Sequence, residues 1–351
     1  MEGIGRGVTI GKDNPRLIWF VADEDGYLVD PSSVSFQIWD DASGTPTKRI
    51  PAPAGQGQPT PPDFATLDLV TSKLGTGRYA LPWTISGSEP VGYNRAVVKW
   101  TLDGVERTRT QVFEVLPAGM DLVNSYCLLA DLRAEGLSET EADNARVLRK
   151  IKEACSFIDQ ACERTFAPVF KTLVLDGGGV DTLFLDEPII FVEDIVDVGI
   201  GDPNLGSVIY TKLVYIRNRH ITRGQLTPDD RDDPRIVLAD DVFTDLPDSV
   251  ELTGVFGYTN LDPLAEPPGV TPQEIREVAM KIAFRNMPKL FQDGGEERYE
   301  RRNAHRVVSE STSGQSYSLS PASGGEFMWT GDPELDTVLA RYRRPIAIGV
   351  V

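Results

Sequence analysis

The side chains that most often carry out chemistry in enzymes are few in this sequence, and they are not grouped. The chain contains three cysteines, Cys127, Cys155 and Cys162, and two histidines, His220 and His305, in unrelated contexts. Zinc sites and many acid–base mechanisms depend on grouped His or Cys side chains. The sequence offers little material for either, so we expect no metal ion and no cofactor.

Two of the cysteines lie within a helical pattern. Cys155 and Cys162 are seven residues apart and share an apolar stripe with Ile151 and Ile158. Reactive thiols are one interpretation, but no histidine or metal-ligand partner accompanies them, and cysteine on such a stripe packs as a small hydrophobic side chain. We predict that they belong to a helix core.

Clustered carboxylates offer two further possibilities. Residues 227–234, TPDDRDDP, contain the oxygen ligands that calcium prefers, but their spacing fits no EF-hand loop and their prolines favour a solvated turn. The pairs Asp194 and Asp197, or Glu187 and Glu193, have the residue types of a general acid and base. Among 53 acidic residues such pairs arise by chance, so we predict no enzymatic activity.

The run Asp176-Gly177-Gly178-Gly179 follows a strand pattern and suggests a phosphate-binding loop. Such a loop needs a helix behind it, whereas residues 182–185 read as another strand. The sequence therefore predicts a hairpin turn here.

The overall charge argues against a DNA-clamping surface. The chain has 35 basic and 53 acidic residues, a net charge of −18, and residues 176–266 alone contain 19 acidic and 6 basic residues. This excess serves solubility, or it repels DNA from the lumen of a ring so that DNA passes without sticking.

No stretch approaches the roughly 20 apolar residues of a membrane span, and the N-terminus lacks the apolar core of a signal peptide. We expect a soluble protein made in a cytoplasm.

The predicted secondary structure differs between the first part of the chain and the rest. Residues 16–115 read as short strands separated by turns, as in an antiparallel sandwich. Within them Val34, Phe36 and Ile38 alternate with polar residues, the pattern of a strand with one buried face. Residues 51–62 hold five prolines and two glycines, which predicts a long, mobile loop.

Helical periodicity begins after Pro117. It predicts helices over residues 125–135 and 139–165, then a β-rich insert, a helix that opens with a capping box at Thr271 and Glu274, and a short capped helix over 331–342. The predicted fold class is α+β multidomain, an all-β sandwich followed by a helical core with a β insert and an extended C-terminal tail. The predicted domains are 1–117, 118–292 and 293–351.

Several segments resemble the head–tail connector (adaptor) family of tailed bacteriophages. They are SYCLLADLRAEG at residues 125–136, ACSFIDQACERTFAP at 154–168, the strands near 175–177 and 183–189, and VELTGVFGY at 250–258. Residues 17–20, 25–30, 34–39 and 78–83 are similar to the immunoglobulin-like domains that phage structural proteins carry.

The resemblance implies a structural virion protein, located in the neck between capsid and tail. Its subunits would form a ring, expected to be a dodecamer, beneath the portal protein and above a tail-side stopper or tail terminator protein. DNA would pass through the lumen without sequence-specific binding, and no membrane is involved.

The polar, Gly/Ser-rich tail carries aromatic and arginine anchors that suit ordering on a partner, the alternative being a merely disordered end. We expect deletion of residues 325–351 to abolish portal binding with little effect on thermal stability. The expected portal or ring contacts are Tyr317, Phe327, Trp329, Arg341, Tyr342, Arg343 and Arg344.

Two other functions stay open. One is a tail-completion or stopper protein of the same virion. The other is a carbohydrate-binding or host-attachment module, in which Trp19, Trp39 or Trp83 of the sandwich forms an aromatic platform. Tryptophans beside apolar residues on alternating strand positions more often belong to a core.

Overall fold

A computed structural model describes residues 1–23, 26–42, 46–51, 63–197, 208–209, 214–217, 234–239, 241–259, 269–287, 310–312, 315–317 and 329–344. The chain packs as two compact units, residues 1–130 with 165–272 and residues 131–164 with 273–351. The fold is α+β and contains more strand than helix. None of the helices in the described ranges is long and apolar enough to span a membrane.

The first unit begins with a seven-stranded sheet. Its strands are β1 (Gly3–Gly5), β4 (Ser33–Asp40), β5 (Thr47–Ile50), β6 (Ala65–Thr66), β10 (Gly92–Leu102), β11 (Val105–Leu116) and β12 (Asp121–Leu122). Their order is β12-β1-β11-β10-β4-β5, and β6 pairs with β4. Because β12 pairs with β1, the sheet continues past Pro117.

Two small sheets share a core with the large one. Their strands are β2 (Thr9–Ile10) with β9 (Trp83–Thr84), and β3 (Ile18–Phe20), β7 (Lys73–Gly75) and β8 (Arg78–Ala80). The alternating residues Val34, Phe36 and Ile38 of β4 face Trp19 and Tyr79 in this core. The predicted N-terminal β structure is confirmed, and its immunoglobulin-like topology stays a prediction.

The β-rich insert forms two further sheets. Its strands are β13 (Val169–Leu175), β14 (Thr182–Phe184), β15 (Ile189–Asp197), β16 (Val208–Ile209), β17 (Val214–Arg217), β18 (Arg235–Leu238) and β19 (Val250–Phe256). The orders are β13-β19-β15-β16 and β14-β18-β17. Apolar side chains of both sheets, among them Leu183, Ile195, Ile236 and Leu252, form one core.

The glycine run is a turn, but it does not close a hairpin. It joins β13 to β14, which belong to different sheets, so the hairpin prediction is wrong. Gly178 and Gly179 have φ values of 65° and 64°, in the left-handed region that favours glycine. The run therefore redirects the chain from one sheet to the next.

The second unit is built around three helices that contact one another: α2 (Asn144–Cys162), α3 (Gln273–Arg285) and α4 (Pro333–Tyr342). A shorter helix, α1 (Leu129–Ala134), precedes α2. Helix α2 is shorter than predicted because Asp143 accepts the Arg146 N–H as its N-cap, and Glu163 ends it with φ of 55°. Cys155 and Cys162 lie among its buried residues, as predicted.

The capping box before α3 is not formed as predicted. The Thr271 hydroxyl donates a hydrogen bond of 2.9 Å to the Phe166 carbonyl, and Glu274 forms an ion pair with Arg341. Both side chains of the predicted box therefore have other partners.

The short capped helix predicted over residues 331–342 is confirmed as α4, but this part of the predicted tail is docked on the other helices and not extended. Asp332 caps α4 by accepting the Glu334 N–H at 2.9 Å. Leu335 and Leu339 are 2% and 0% exposed, and α4 contacts α2 and α3. Removing α4 would uncover this apolar surface, so the expectation that residues 325–351 contribute little to stability does not hold.

The sandwich and the insert are joined by main-chain hydrogen bonds. Leu28 N–H donates to Val192 O at 2.6 Å, and Val192 N–H donates to Gly26 O at 2.9 Å. Beside these bonds, Phe20 and Phe191 pack with ring centroids 6.2 Å apart. We call this contact the sandwich–insert joint.

Two β-bulges in β15 supply side chains to the joint. The register with β19 skips Ile190 and Glu193, and a bulge re-aims the extra residue. Ile190 is fully buried in the apolar cluster of the joint. Glu193 pairs with Arg78 at 3.2 Å, and the Arg78 guanidinium lies 3.5 Å from the centre of the Phe170 ring.

A glycine in the neighbouring strand makes room for this arrangement. Gly254 of β19 pairs with Val192. A Cβ atom at this position would lie 2.3 Å from the Phe191 carbonyl oxygen, which is closer than real Cβ atoms come. The backbone of β15 therefore approaches β19 at a distance that only glycine permits.

The compact units do not follow the predicted ranges 1–117, 118–292 and 293–351. The sandwich and the insert share one unit because they share hydrogen bonds and an apolar cluster at the joint. The three ranges stay a prediction about independently folding domains.

Replacing Arg78 with methionine should lower the free energy of unfolding by about 1–3 kcal/mol, because it leaves the Glu193 carboxylate without its charged partner at a mostly buried position. Urea unfolding followed by circular dichroism measures the change. The matched control is Arg149→Met, which removes a largely exposed ion pair to Glu153 and should cost less than about 1 kcal/mol. Equal losses in the two variants would contradict an energetic role for the joint.

Candidate assembly interface

The predicted contact residues of the C-terminal segment are mostly brought together at the end of α4. Trp329, Arg341, Tyr342, Arg343 and Arg344 are described, and all are at least partly exposed. Phe327 lies outside the described residues. Tyr317 lies in the strand β21 (Gln315–Tyr317), which pairs with β20 (Glu310–Thr312) and is described for its backbone.

Arg343 connects two ends of the helical unit. Its guanidinium forms a 3.0 Å ion pair with Glu163, the C-cap of α2, and lies 5.8 Å from the centre of the Trp329 ring. The Arg344 N–H donates to Cys162 O at 2.9 Å. These contacts hold the chain after α4 against the end of α2.

Arg341 and Tyr342 lie on the same helix end. The Arg341 guanidinium is 5.5 Å from the centre of the Tyr342 ring and also pairs with Glu274 of α3. Tyr342 is half-buried, so part of its ring stays accessible, as does part of Trp329. Two partly exposed aromatic rings beside arginines have the composition of a protein–protein contact.

Two loops of the insert form a second candidate surface. The loops, residues 176–181 and 241–248, are joined by hydrogen bonds from Phe243 N–H to Val180 O at 2.9 Å and from Gly177 N–H to Leu246 O at 3.3 Å. They contain no basic residue. Their exposed carboxylates are Asp176, Asp181, Asp241, Asp245 and Asp248.

These five carboxylates make no ion pair with any residue that the structure describes. Asp176 accepts the Asp248 N–H at 2.8 Å, and Asp241 accepts the Val242 N–H at 2.8 Å, so the main chain orders the loops without neutralising them. We call this surface the acidic loop pair. It presents a local negative field to solvent.

Three of the four acidic residues considered for catalysis have other partners. Glu187 pairs with Lys171 at 2.7 Å, Glu193 pairs with Arg78, and Asp197, 3% exposed, accepts the Thr244 N–H at 2.9 Å. In the described ranges no three His, Cys, Asp or Glu side chains are placed to hold a metal ion. His220, His305 and residues 227–233 lie outside those ranges.

The tryptophans of the sandwich do not form one platform. Trp19 and Trp83 are 5% and 8% exposed and belong to the core. Trp39 alternates to the opposite face of β4, where Arg95 and Lys48 lie 5.3 Å and 6.0 Å from its ring centre. A sugar platform would have to rest on this half-buried ring.

The chain was compared with protein families, curated sequences and solved structures. No protein-family profile and no curated protein sequence matches the chain. Among solved structures, a chain of "Neck of empty GTA particle computed with C6 symmetry" aligns with 63% of this chain and 90% of its own length, at 13% identity and a TM-score of 0.34. A TM-score this low does not establish a shared fold, so the match assigns no fold and no function.

Cys162 should report on the docking of α4. Burial raises the pKa of its thiol to about 12, and the sulfur contacts Leu339 O at 3.6 Å. At pH 8.5 the thiolate fraction is then below about one in a thousand, so iodoacetamide should leave Cys162 unmodified in the native protein and modify it in guanidinium. Mass spectrometry of tryptic peptides measures the modification. Rapid native alkylation would show that α4 leaves α2.

Proposed function

We propose that the protein is a structural component of a tailed-bacteriophage virion, a head–tail connector subunit. Its copies form a ring, a dodecamer in the family it resembles, that docks beneath the portal and above a stopper or tail terminator protein. DNA passes through the ring. Assembly by a repeated contact between two different surfaces of the same chain closes such a ring without any chemical step.

The acidic loop pair is the observation that carries this proposal. A passage for DNA must not hold phosphates, and a surface with five exposed carboxylates and no basic residue repels them. The net charge of −18 acts in the same direction. The loops would line or border the lumen.

The end of α4 supplies the proposed portal contact. Trp329 and Tyr342 are held by Arg343 and Arg341 and keep part of each ring accessible, which suits anchors that fill pockets on a partner. Since α4 is docked, this contact is prearranged and needs less ordering on binding than a free tail would.

Portal binding should depend on these two rings. Purified protein mixed with the portal protein of the same genome should give a discrete complex in native mass spectrometry, with many copies per portal. The double substitution Trp329→Ala and Tyr342→Ala should weaken the complex at least about ten-fold, because it removes two aromatic anchors.

The matched control is Phe184→Ala, which removes a ring that is 64% exposed on the insert. It should bind as the wild type does. No complex with the wild-type protein would refute the connector proposal, and undiminished binding by the double variant would refute the portal contact alone.

Reversing charge on the acidic loop pair should create DNA binding. The triple substitution Asp181→Lys, Asp241→Lys and Asp245→Lys should retain double-stranded DNA in a mobility-shift assay at 50 mM salt, whereas the wild type does not. Retention should fall steeply with salt, as counterion release requires. The isosteric control with Asn at the same positions should show little retention. Wild-type retention would contradict the repelling surface.

A further inference from the structure

Four large side chains meet at one end of the sandwich, and all of them can donate hydrogen bonds. Trp19 and Trp100 pack edge to face with ring centroids 5.6 Å apart, and the Arg109 guanidinium lies 5.4 Å from the Trp100 ring centre. Across the β10–β11 pair, Arg107 is opposite Trp100 and Arg109 is opposite Val98. The pleat therefore places both arginines on the core face of β11.

The two indole N–H donors of this group lack acceptors in the described part of the chain. The side chains of Trp19 and Trp100 are 5% and 3% exposed, and neither indole N–H has a hydrogen-bond partner among the residues described. Gln111 follows on the same face with its buried Oε1 unpartnered, and a half-turn of the amide puts an NH2 group there instead. Trp19 and Trp100 therefore each bury an indole donor without an acceptor among the described residues.

The positive charge of Arg109 is also uncompensated. No carboxylate in the described part of the chain lies within ion-pair distance of it. Burial, together with the charge of Arg107, lowers the pKa of Arg109 to about 10. The cation–π contact with Trp100 offsets only part of the cost of burying a charge beside a like charge. An anion would compensate the charge of Arg109.

The neighbouring main chain has a free side. Strand β1 pairs with β11 only at Glu114–Leu116, and β10 pairs along the other edge of β11. Within the described ranges, residues 105–113 therefore form an edge strand with unpaired main-chain groups. Such an edge accepts an additional extended strand.

We propose that this end of the sandwich binds an extended acidic segment of a partner protein, which pairs with the free edge of β11 and places a carboxylate against Arg109, beside the Trp19–Trp100 pair. A planar carboxylate matches the guanidinium fork. The edge strand favours a peptide over a nucleic acid, because only a peptide main chain can pair with it. The proposal does not depend on the connector function.

Hexaglutamate and hexaglutamine peptides test the proposal on the full-length protein. Isothermal titration calorimetry at low ionic strength, with tryptophan fluorescence as a second signal, should show hexaglutamate binding at least about ten-fold tighter than hexaglutamine. Arg109→Gln should weaken hexaglutamate binding at least about ten-fold, and Arg109→Lys should weaken it less. Arg95→Gln removes an arginine of β10 that pairs with Asp41 at 3.2 Å, and it should bind as the wild type does.

Thermal unfolding separates binding from a structural role. Arg109→Gln should melt at the same temperature as the wild type or higher, because it removes an uncompensated charge. A lower melting temperature would make Arg109 a structural partner of Trp100 and overturn the proposal. Equal binding of both peptides, equal affinity in Arg109→Gln and the wild type, or tighter binding of inorganic phosphate than of hexaglutamate would each overturn it as well.

Discussion

The pairing of Val192 with Gly26 and Leu28 is the contact on which the first compact unit depends. It joins a loop of the sandwich to a strand of the insert that lies far away in the sequence, so the entropy of closing a long loop must be offset by what the joint buries. The buried cluster around Phe191 and the ion pair between Arg78 and Glu193 supply that compensation. As a result the sandwich and the insert belong to one compact unit.

The helical unit is stabilised in a different way. Its three helices meet through apolar stripes, and α4 contributes Leu335 and Leu339. Ion pairs from Arg285 to Asp332 and from Arg343 to Glu163 close the ends of this packing. Of the aromatic residues proposed for the portal, Tyr342 is thus on a helix that is already part of the core. Trp329 precedes this helix and lies beside Arg343 at its end.

Much of the local structure could be predicted from the sequence, because strand alternation and helical stripes are local signals. The strand containing Val34, Phe36 and Ile38 and the stripe of α2 illustrate this. Contacts between distant segments could not be predicted in the same way. The glycine run at 177–179 is typical of a turn, but the local sequence does not determine which sheet the next strand joins. Thr271 is a residue type that often caps helices, but its hydroxyl donates a hydrogen bond to the distant Phe166 carbonyl instead.

The candidate sites likewise combine features visible in the local sequence with contacts between distant segments that are not. The acidic excess of the insert is visible in composition, whereas the two loops that concentrate it are joined by long-range hydrogen bonds. Arg107 and Arg109 alternate with threonines, a composition typical of a solvent-exposed strand. They are nevertheless an even number of residues away from buried Phe113, so they lie on the same face of β11 as Phe113. This spacing from Phe113 was the signal in the sequence that could have placed the two arginines on the core face.

Gly254 also bears on how relatives of this chain could be recognised. Its Cβ would collide with the Phe191 carbonyl, so every other amino acid is excluded as long as β15 and β19 keep this spacing. Surface residues can drift without such a limit. In a lineage that has diverged beyond overall sequence similarity, a glycine within the strand pattern of residues 250–256, aligned with a doubly bulged partner strand, would persist as a mark of common descent.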